Sequence, residues 1–468
     1  MFSRYSAPGG IKDVLRVGLP LVMSMASTTA MEFTDRVFLG NYSVISIAAA
    51  LPAGLANFVL LSFCMGLVDY VGVFVAQYTG AGQPRRVGAA LWQGLWFCLP
   101  ASLILASLTF AAEPLFALAG HPPEVQAQEA TYFSILCLGS GFAVTGMCLS
   151  SFFSGRGLTM PVMVVHVIGA LLNIPLDYAL IYGRFGLPEM GIAGAALATC
   201  FAWFLSALLL ALLVFRRDNE RNFGVRSSWR FDKALFLRFM RFGLPSGVQF
   251  LMDILGFTLF LFIIGSLGAE SLAATNIVFS LNALVFLPMV GFSVAASILV
   301  GQAMGAGDPD RAAYANTSTL YLCVTYTLIL DAAFVFFPRE LLSLFRPQDL
   351  SPEHFEAVRE TGVVLLRLVA VYCLFDSVGI IQYGSLRGAG DTRFIMLTIL
   401  GCSALILVLP TWLMVRVLGW GLYPAWACVL IYIAVLAVIM RIRFLRGAWR
   451  KIRVIEPTGP APADGVSP

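Results

Sequence analysis

The sequence predicts an all-α membrane protein in which twelve transmembrane helices form two six-helix lobes related by a parallel repeat. Three observations support this fold class. Hydrophobic residues make up 59% of the 468 residues and charged residues only 12%, about half the ~25% that is usual in soluble proteins. Apolar stretches follow one another along the chain, each close to the ~20 residues that a helix needs to cross a bilayer. The chain also repeats itself.

The repeat has a constant offset of 225 residues (Gly18 recurs as Gly243) over about sixty residues of each half. The matching segments are Gly18-Leu19-Pro20 with Gly243-Leu244-Pro245, Ser46–Ala49 with Ser271–Ala274, and Gln77–Arg86 with Gln302–Arg311. A later pair, Gly155–Thr159 and Gly388–Thr392, has an offset of 233. Two hydrophobic halves built on one template are typical of transporters whose halves rock about a central site.

Each half contains six apolar stretches, so both halves have the same orientation and the repeat is parallel. The predicted spans are 14–38, 47–75, 88–112, 128–152, 160–182, 191–215, 238–266, 272–300, 314–337, 358–384, 394–416 and 420–443. The predicted domains are an N-lobe (1–215), a cytoplasmic inter-lobe loop (216–236), a C-lobe (237–443) and a tail (444–468). The tail ends in a Pro-, Gly- and Ala-rich run, which predicts disorder.

The distribution of Lys and Arg predicts the orientation in the membrane. With the N-terminus in the cytoplasm, 23 of the 30 Lys and Arg residues lie on the cytoplasmic side, together with both termini. The basic runs border predicted spans, so they indicate orientation and lipid contact rather than nucleic-acid binding. The first residues lead directly into a full-length span, so we expect no cleaved signal peptide. The nine cysteines form no Cys-x-x-Cys pair and are expected to be free.

Carboxyl groups inside the spans are the chemically informative residues. A carboxylate in hydrocarbon costs on the order of 3 kcal/mol and therefore normally faces a cavity and serves a function. Basic residues in the spans are scarcer, so the interior field should be negative and should favour cations and protons. No His, Cys or Asp cluster has transition-metal spacing, although Na⁺ is possible at the acids. The acids are Glu32, Asp35, Asp69, Asp177, Asp253, Asp331 and Asp376.

In the N-lobe, Asn173 and Asp177 lie four residues apart and so on one face of the fifth span. An amide oxygen and a carboxylate on one face suit a hard cation or a proton, and Thr199 on the next span could add a hydroxyl oxygen. Asp35 lies fifteen residues after Pro20, which removes a backbone hydrogen bond and allows the first span to bend. The alternatives are that Asp35 is an interfacial residue paired with Arg36, and that the polar groups only satisfy one another.

In the C-lobe, Asp253 and Asp376 lie deep in the seventh and tenth spans with no obvious basic partner nearby in the sequence. A lone carboxyl group at this depth is suited to coupling with a proton or Na⁺. The sequence assigns no role to Asp69, Asp331 or Arg367.

The two Gly-Ala-Gly segments, at 80–82 and 305–307, are predicted to be tight turns between helices. Glycine-rich loops can also hold phosphate, but no strand precedes these segments and no Lys-Ser/Thr follows them. The chain also has no Walker motif, so ATP-driven transport has no support.

With these features together, the chain resembles the MATE (multidrug and toxic compound extrusion) family of transporters, in its NorM-like bacterial type. The resemblance covers residues from about 12 to 443. It rests on the 6+6 repeat, the Gly-Leu-Pro and Gly-Ala-Gly segments, the SLRGAGDT segment at 385–392, and the acids. Asp35 with Pro20, Asn173, Asp177 and Thr199 match the family's N-lobe cation site. Asp253 and Asp376 fall where NorM-like members carry C-lobe acids, although a Glu is common at the position of Asp253.

The resemblance implies a V-shaped pair of lobes around a cavity that opens to one side at a time. It implies a monomeric secondary antiporter in the bacterial inner membrane that exports organic cations in exchange for Na⁺ or H⁺, without another cofactor. The main alternative is a lipid-linked oligosaccharide flippase of the same superfamily, whose anionic substrate would require cationic residues in the cavity. A major facilitator lacks support because the usual Asp-Arg loop signature is absent at 77–90. A membrane enzyme lacks support because no nucleophile–base or metal constellation is evident.

Overall fold

The computed structural model describes residues 5–343 and 352–456. This part of the chain contains twelve helices that are long and apolar enough to cross a membrane, which confirms the predicted fold class. The helices are α1 (Ile11–Tyr42), α2 (Val44–Gly80), α3 (Pro84–Ala117), α4 (Pro123–Ser154), α5 (Met160–Tyr182), α6 (Ile192–Val214), α7 (Lys233–Gly265), α8 (Glu270–Gly305), α9 (Pro309–Phe336), α10 (Val358–Ala389), α11 (Thr392–Val417) and α12 (Leu422–Leu445).

The two lobes repeat one packing pattern. In the N-lobe, α4 packs against α2, α3 and α6, while α1 packs against α5. In the C-lobe, α10 packs against α8, α9 and α12, while α7 packs against α11. The equivalent helices therefore have equivalent neighbours, as a parallel repeat requires. The repeat is less regular in α11, where π-helical turns flank the segment that contains Pro410, a residue without an N–H for the helical hydrogen-bond ladder.

The inter-lobe segment differs from the loop predicted over 216–236. Arg217–Phe223 forms a short helix, and α7 begins at Lys233 because the Asp232 carboxylate accepts a hydrogen bond from the Leu235 N–H (3.1 Å) and caps the helix. The segment is held against the N-lobe, where the Trp92 indole N–H donates to the Val225 carbonyl oxygen (2.5 Å). The linker is therefore a packed part of the N-lobe surface.

The prediction of a disordered tail was wrong for residues 444–456. α12 continues to Leu445, and a 3₁₀ turn follows at Ala448–Lys451. Val454 and Ile455 are then buried in a hydrophobic cluster formed mostly by the N-lobe together with α7 residues such as Phe239. These two apolar side chains leave water on packing, and this burial outweighs the low order that the composition of the tail suggests. The rest of the predicted tail, residues 457–468, lies outside the described residues.

The two lobes meet where α1 and the end of α2 pack against α8 and where α2 crosses α7. Gly66 lies against Phe250 and Ser246, and its repeat counterpart Gly291 lies against Val22, with no room for a Cβ at either glycine. Residues 5 and 456 lie on the same side of the molecule because the chain crosses an even number of times. We call this side, which includes the turns at 80–84, 305–309 and 389–392, the terminal side. The inter-lobe contacts are concentrated in the terminal-side halves of the helices.

Candidate functional site

The N-lobe residues predicted to form a site come together between α1, α5 and α6. The Thr199 hydroxyl on α6 donates a hydrogen bond to the Asp35 carboxylate on α1 (3.1 Å). Both side chains are buried, with Asp35 only 6% exposed. The Asp35 carboxyl group therefore points into the lobe, so the alternative of an interfacial Asp35 paired with Arg36 is not what the structure contains. Arg36 itself is exposed.

On α5, Asn173 and Asp177 are completely buried on the face that the sequence predicts. The Asp35 and Asp177 carboxyl groups are close enough to interact directly. Within the described part of the chain, neither oxygen of Asp177 and neither polar side-chain atom of Asn173 has a hydrogen-bond partner. Asp35 accepts one hydrogen bond, from Thr199, and Asp177 accepts none among the described residues, so a proton or a small cation between the two carboxyl groups would relieve their repulsion. The four residues do not simply satisfy one another.

Two further polar groups lie in this lobe, and the first of them was missed in the sequence. The Tyr132 side chain on α4 lies within electrostatic reach of Asp35 and Asp177. Nearer the terminal side, the Ser24 hydroxyl on α1 lies 2.5 Å from Nδ1 of His166 on α5. Pro20 lies inside the continuous helix α1 and is buried. Tyr132 has no sequence signal, because only the packing of α4 against its neighbours brings it to the acids.

The C-lobe acids have a different environment. Asp253 on α7 accepts a hydrogen bond from the Gln249 side-chain amide, one turn earlier on the same helix. The Gln249 side-chain carbonyl accepts in turn from the Tyr383 hydroxyl on α10 (2.8 Å). Asp376, also on α10, interacts electrostatically with Asp253. Both acids are partly exposed, unlike the acids of the N-lobe cluster.

The remaining acids of the spans are distributed over both lobes. Asp331 on α9 is buried, and neither of its carboxylate oxygens has a hydrogen-bond partner in the described residues. Glu32 on α1 and Arg367 on α10 are exposed. Asp69 forms an ion pair with Arg387 of the other lobe, with 2.7 Å between Oδ2 and Nη2. The described residues contain no group of three or more His, Cys, Asp or Glu side chains arranged to hold a metal ion.

The Gly-Ala-Gly segments form turns, as predicted, and they also join the two lobes. Gly80 packs against the backbone of Gln302, and Gly305 packs in the same way against the backbone of Gln77. The side-chain amide of Gln77 donates to the Gly388 carbonyl oxygen (2.9 Å). The side-chain amide of Gln302 donates to the Gly155 carbonyl oxygen (3.0 Å). The repeated sequence motifs are therefore the two halves of one pseudo-symmetric contact that closes the terminal side.

Two six-helix lobes with buried acids and a contact at one end define a multi-pass membrane protein of the secondary-transporter type. The MatE family model matches residues 20–179 and 245–413, one match in each lobe. The chain therefore belongs to the MatE family.

Similar proteins agree with this assignment. The chain is 30% identical over 451 residues to a probable multidrug resistance protein NorM of Pseudomonas putida, covering 96% of both chains. It is 27% identical over 456 residues to a protein of the same name from Thermotoga maritima, covering 95% of this chain and 94% of the other.

Solved structures share the fold. One is described as the outward-facing conformation of a multidrug resistance MATE family transporter, with a TM-score of 0.84, 19% identity, and coverage of 95% of this chain and 97% of the other. Another is a MOP superfamily transporter from Pyrococcus furiosus, described as having a binding pocket of reverse polarity that suggests a different function. Its TM-score is 0.85 at 19% identity, over 94% of this chain and 97% of that one.

Proposed function

We propose that the protein is a secondary antiporter that exports organic cations in exchange for Na⁺ or H⁺. The observation that carries the proposal is the buried set of Asp35, Asp177, Asn173 and Thr199, in which polar atoms lack partners. Such a set has a high affinity for a small cation or a proton and little use as packing. Membership of the MatE family and the name of the NorM relatives support export of drugs as the driven process.

The C-lobe acids complete the proposal. Asp253 and Asp376 are partly exposed and lie on helices that border the space between the lobes. They are placed to meet an organic cation or a second coupling ion. Binding at either lobe drives export only if the ion and the drug prefer different arrangements of the lobes. The inter-lobe contact is complete within one chain, so we propose the monomer as the working unit.

Transport into sealed liposomes tests this function. Efflux of ethidium should follow an imposed Na⁺ or pH gradient, and the gradient that accelerates efflux identifies the coupling ion. The Asp177→Asn variant is the control because it removes one coupling carboxyl group while retaining the shape of the side chain. Gradient-independent ethidium movement, or movement only of an anionic lipid-linked oligosaccharide, would rule out the antiporter and favour the flippase.

We further propose that the protein lies in the bacterial inner membrane with its terminal side in the cytoplasm. The support is the positive-inside rule, because that side carries the basic linker and the basic end of α12. The loops at 39–46 and 113–127 should then face outward. In a cysteine-free background, Ser43→Cys should react with an impermeant thiol reagent added outside, and Gln83→Cys only after the membrane is opened. The reverse pattern of labelling would invert the topology.

A further inference from the structure

A small pocket lies between the lobes on the pseudo-symmetry axis. Every N-lobe residue that lines it has its repeat counterpart on the opposite wall. The pairs are Asp69 with Val294, Gly72 with Ser297, Val73 with Ile298, and Ser154 with Arg387. The first three have the offset of 225 residues (69 to 294) and the last has the offset of 233 (154 to 387). The pocket is therefore a symmetric element of the fold, contributed equally by the two lobes.

The charges at this pocket break that symmetry. The N-lobe carries Asp69 where the C-lobe carries Val294, and the C-lobe carries Arg387 where the N-lobe carries Ser154. The two charged residues join across the lobes at 2.7 Å, whereas Val294 and Ser154 have side chains that cannot form an ion pair. Because Val294 and Ser154 occupy the equivalent positions without charge, packing of the repeat does not itself require the ion pair.

The surroundings hold Arg387 in position. Its side chain is only 8% exposed, and its Nε donates to the Ser246 hydroxyl (3.3 Å). Its backbone carbonyl accepts from the Tyr70 hydroxyl of the other lobe (3.4 Å), and its guanidinium lies over the Tyr70 ring. The geometry is specific, so the attraction is lost if the lobes separate here.

The backbone of α2 is also adapted at this point. Just after Asp69 the regular helical hydrogen bonds give way to i→i−3 bonds, from Tyr70 N–H to Leu67 O (3.2 Å) and from Gly72 N–H to Asp69 O (3.0 Å). The matching part of α8, around Val294, is continuous helix. Below the ion pair, towards the terminal side, the contacts of Gln77 and Gln302 fill the space between the lobes. The Asp69 side chain is 33% exposed and lines the pocket between the lobes.

We infer that Asp69 and Arg387 form an inter-lobe gate that holds the terminal side closed and must break once in each transport cycle. The transport cycle rests on the proposed function. The gate does not, because it concerns only the equilibrium between the open and closed arrangements of the two lobes. The contacts of Gln77 and Gln302 already hold the two lobes together at the terminal side. The ion pair adds electrostatic attraction across the pseudo-symmetry axis. Its removal shifts the equilibrium towards the arrangement in which the terminal side is open.

The gate is tested by a distance measured between the lobes. Spin labels on Arg86→Cys and Arg311→Cys, which are repeat counterparts on the first turns of α3 and α9, report the separation of the terminal-side ends. The measurement uses the full chain in lipid nanodiscs, with the nine native cysteines replaced. No substrate or ion gradient is needed. A failure of the efflux assay thus leaves this result intact, and a failure of the gate leaves the proposed antiport intact.

The decisive variant is Asp69→Val/Arg387→Ser, which gives both walls the residues that the repeat already uses and leaves no unpaired charge. We expect the longer-distance population to rise at least about fivefold, a shift typical of coupling between two states. Asp69→Asn should shift the distribution in the same direction. The control is Asp391→Asn, because Asp391 pairs with Arg443 (2.7 Å) within the C-lobe and should not change the distance. An unchanged distribution in the double variant would overturn the gate, even if Asp69→Asn alone shifts it.

Discussion

In the N-lobe, Asp35 and Asp177 are sealed among three helices and lack donors for most of their oxygens, whereas in the C-lobe Asp253 and Asp376 are partly exposed. The two pairs are not repeat counterparts. The position of Asp35 corresponds to Phe260, which is completely buried, at the same offset of 225 residues (35 to 260). One template has thus been altered in two ways, to give a buried acidic cluster in one lobe and a partly exposed pair of acids in the other.

The neighbouring turn of helix supports the same comparison. Ser24 on α1 and Gln249 on α7 are counterparts (24 to 249), and both are buried polar residues that reach another helix of their own lobe. Ser24 contacts His166, while Gln249 connects Tyr383 to Asp253. The repeat therefore has a buried polar residue at the same position of α1 and α7. In the N-lobe this residue contacts a histidine, and in the C-lobe it contacts a carboxyl group. If this comparison is correct, substitutions in the two lobes should differ in kind as well as in size.

The largest effect is expected from Asp35→Asn and Asp177→Asn. Either change leaves a single carboxyl group in the buried site, so the site loses half of its negative charge and binds a proton or cation more weakly. We expect gradient-driven ethidium efflux to fall about tenfold or more, a loss typical of coupling free energies. Ethidium binding should also lose its dependence on Na⁺ or pH. A variant that keeps this ion dependence and only melts at a lower temperature would assign the cluster to packing.

Asp253→Asn and Asp376→Asn should reduce coupled efflux by a smaller factor, about fivefold. These acids are partly exposed, so water screens the lost charge more than in the N-lobe. The folded protein should be retained, as judged by its elution and melting temperature in detergent. The ion dependence of efflux should remain in part, because the N-lobe site is intact. Efflux at the wild-type rate from both well-folded variants would remove the C-lobe acids from the transport mechanism.

Tyr383→Phe tests whether Gln249 orients Asp253. The substitution removes one hydroxyl and leaves the ring in place, at a cost of about 1 kcal/mol for a neutral hydrogen bond. We expect efflux to fall about fivefold at most, which corresponds to that free energy. In combination with Asp253→Asn the effects should be less than additive, because both act through the same carboxyl group. Fully additive losses would mean that Tyr383 acts independently of Asp253.

The smallest effect is expected from two uncharged repeat counterparts, Asn57 and Asn282. The Asn57 amide donates to the Ser140 hydroxyl (3.2 Å), whereas the Asn282 carbonyl accepts from the Cys373 thiol (3.3 Å). Because a thiol is the weaker hydrogen-bond donor, Asn57→Ala should destabilise the protein more than Asn282→Ala, by about 1 kcal/mol or less. Thermal unfolding in detergent measures the difference. Equal losses in melting temperature would mean that the two lobes use these positions alike.

The sequence alone determined the twelve spans, the two lobes and the identities of the acids, because hydropathy and an internal repeat are local properties of the chain. It also determined that Asn173 and Asp177 share a face, because helical spacing sets which side chains lie together. Their meeting with Asp35 and Thr199 was an expectation from family resemblance, and only the packing of α1 and α6 against α5 brings the side chains together.

Only the tertiary structure decided where Asp69, Arg387 and the tail lie and what they contact. Asp69 and Arg387 are 318 residues apart, so no local spacing relates them, and the pair forms only because α2 and α10 meet at the pseudo-symmetry axis. Val454 and Ile455 belong to a short segment with no apolar period, yet the N-lobe together with α7 provides a surface on which they are buried. In each case the stabilising free energy comes from contacts between segments that are distant in the sequence. Such contacts depend on how whole helices pack and not on the neighbouring residues in the chain.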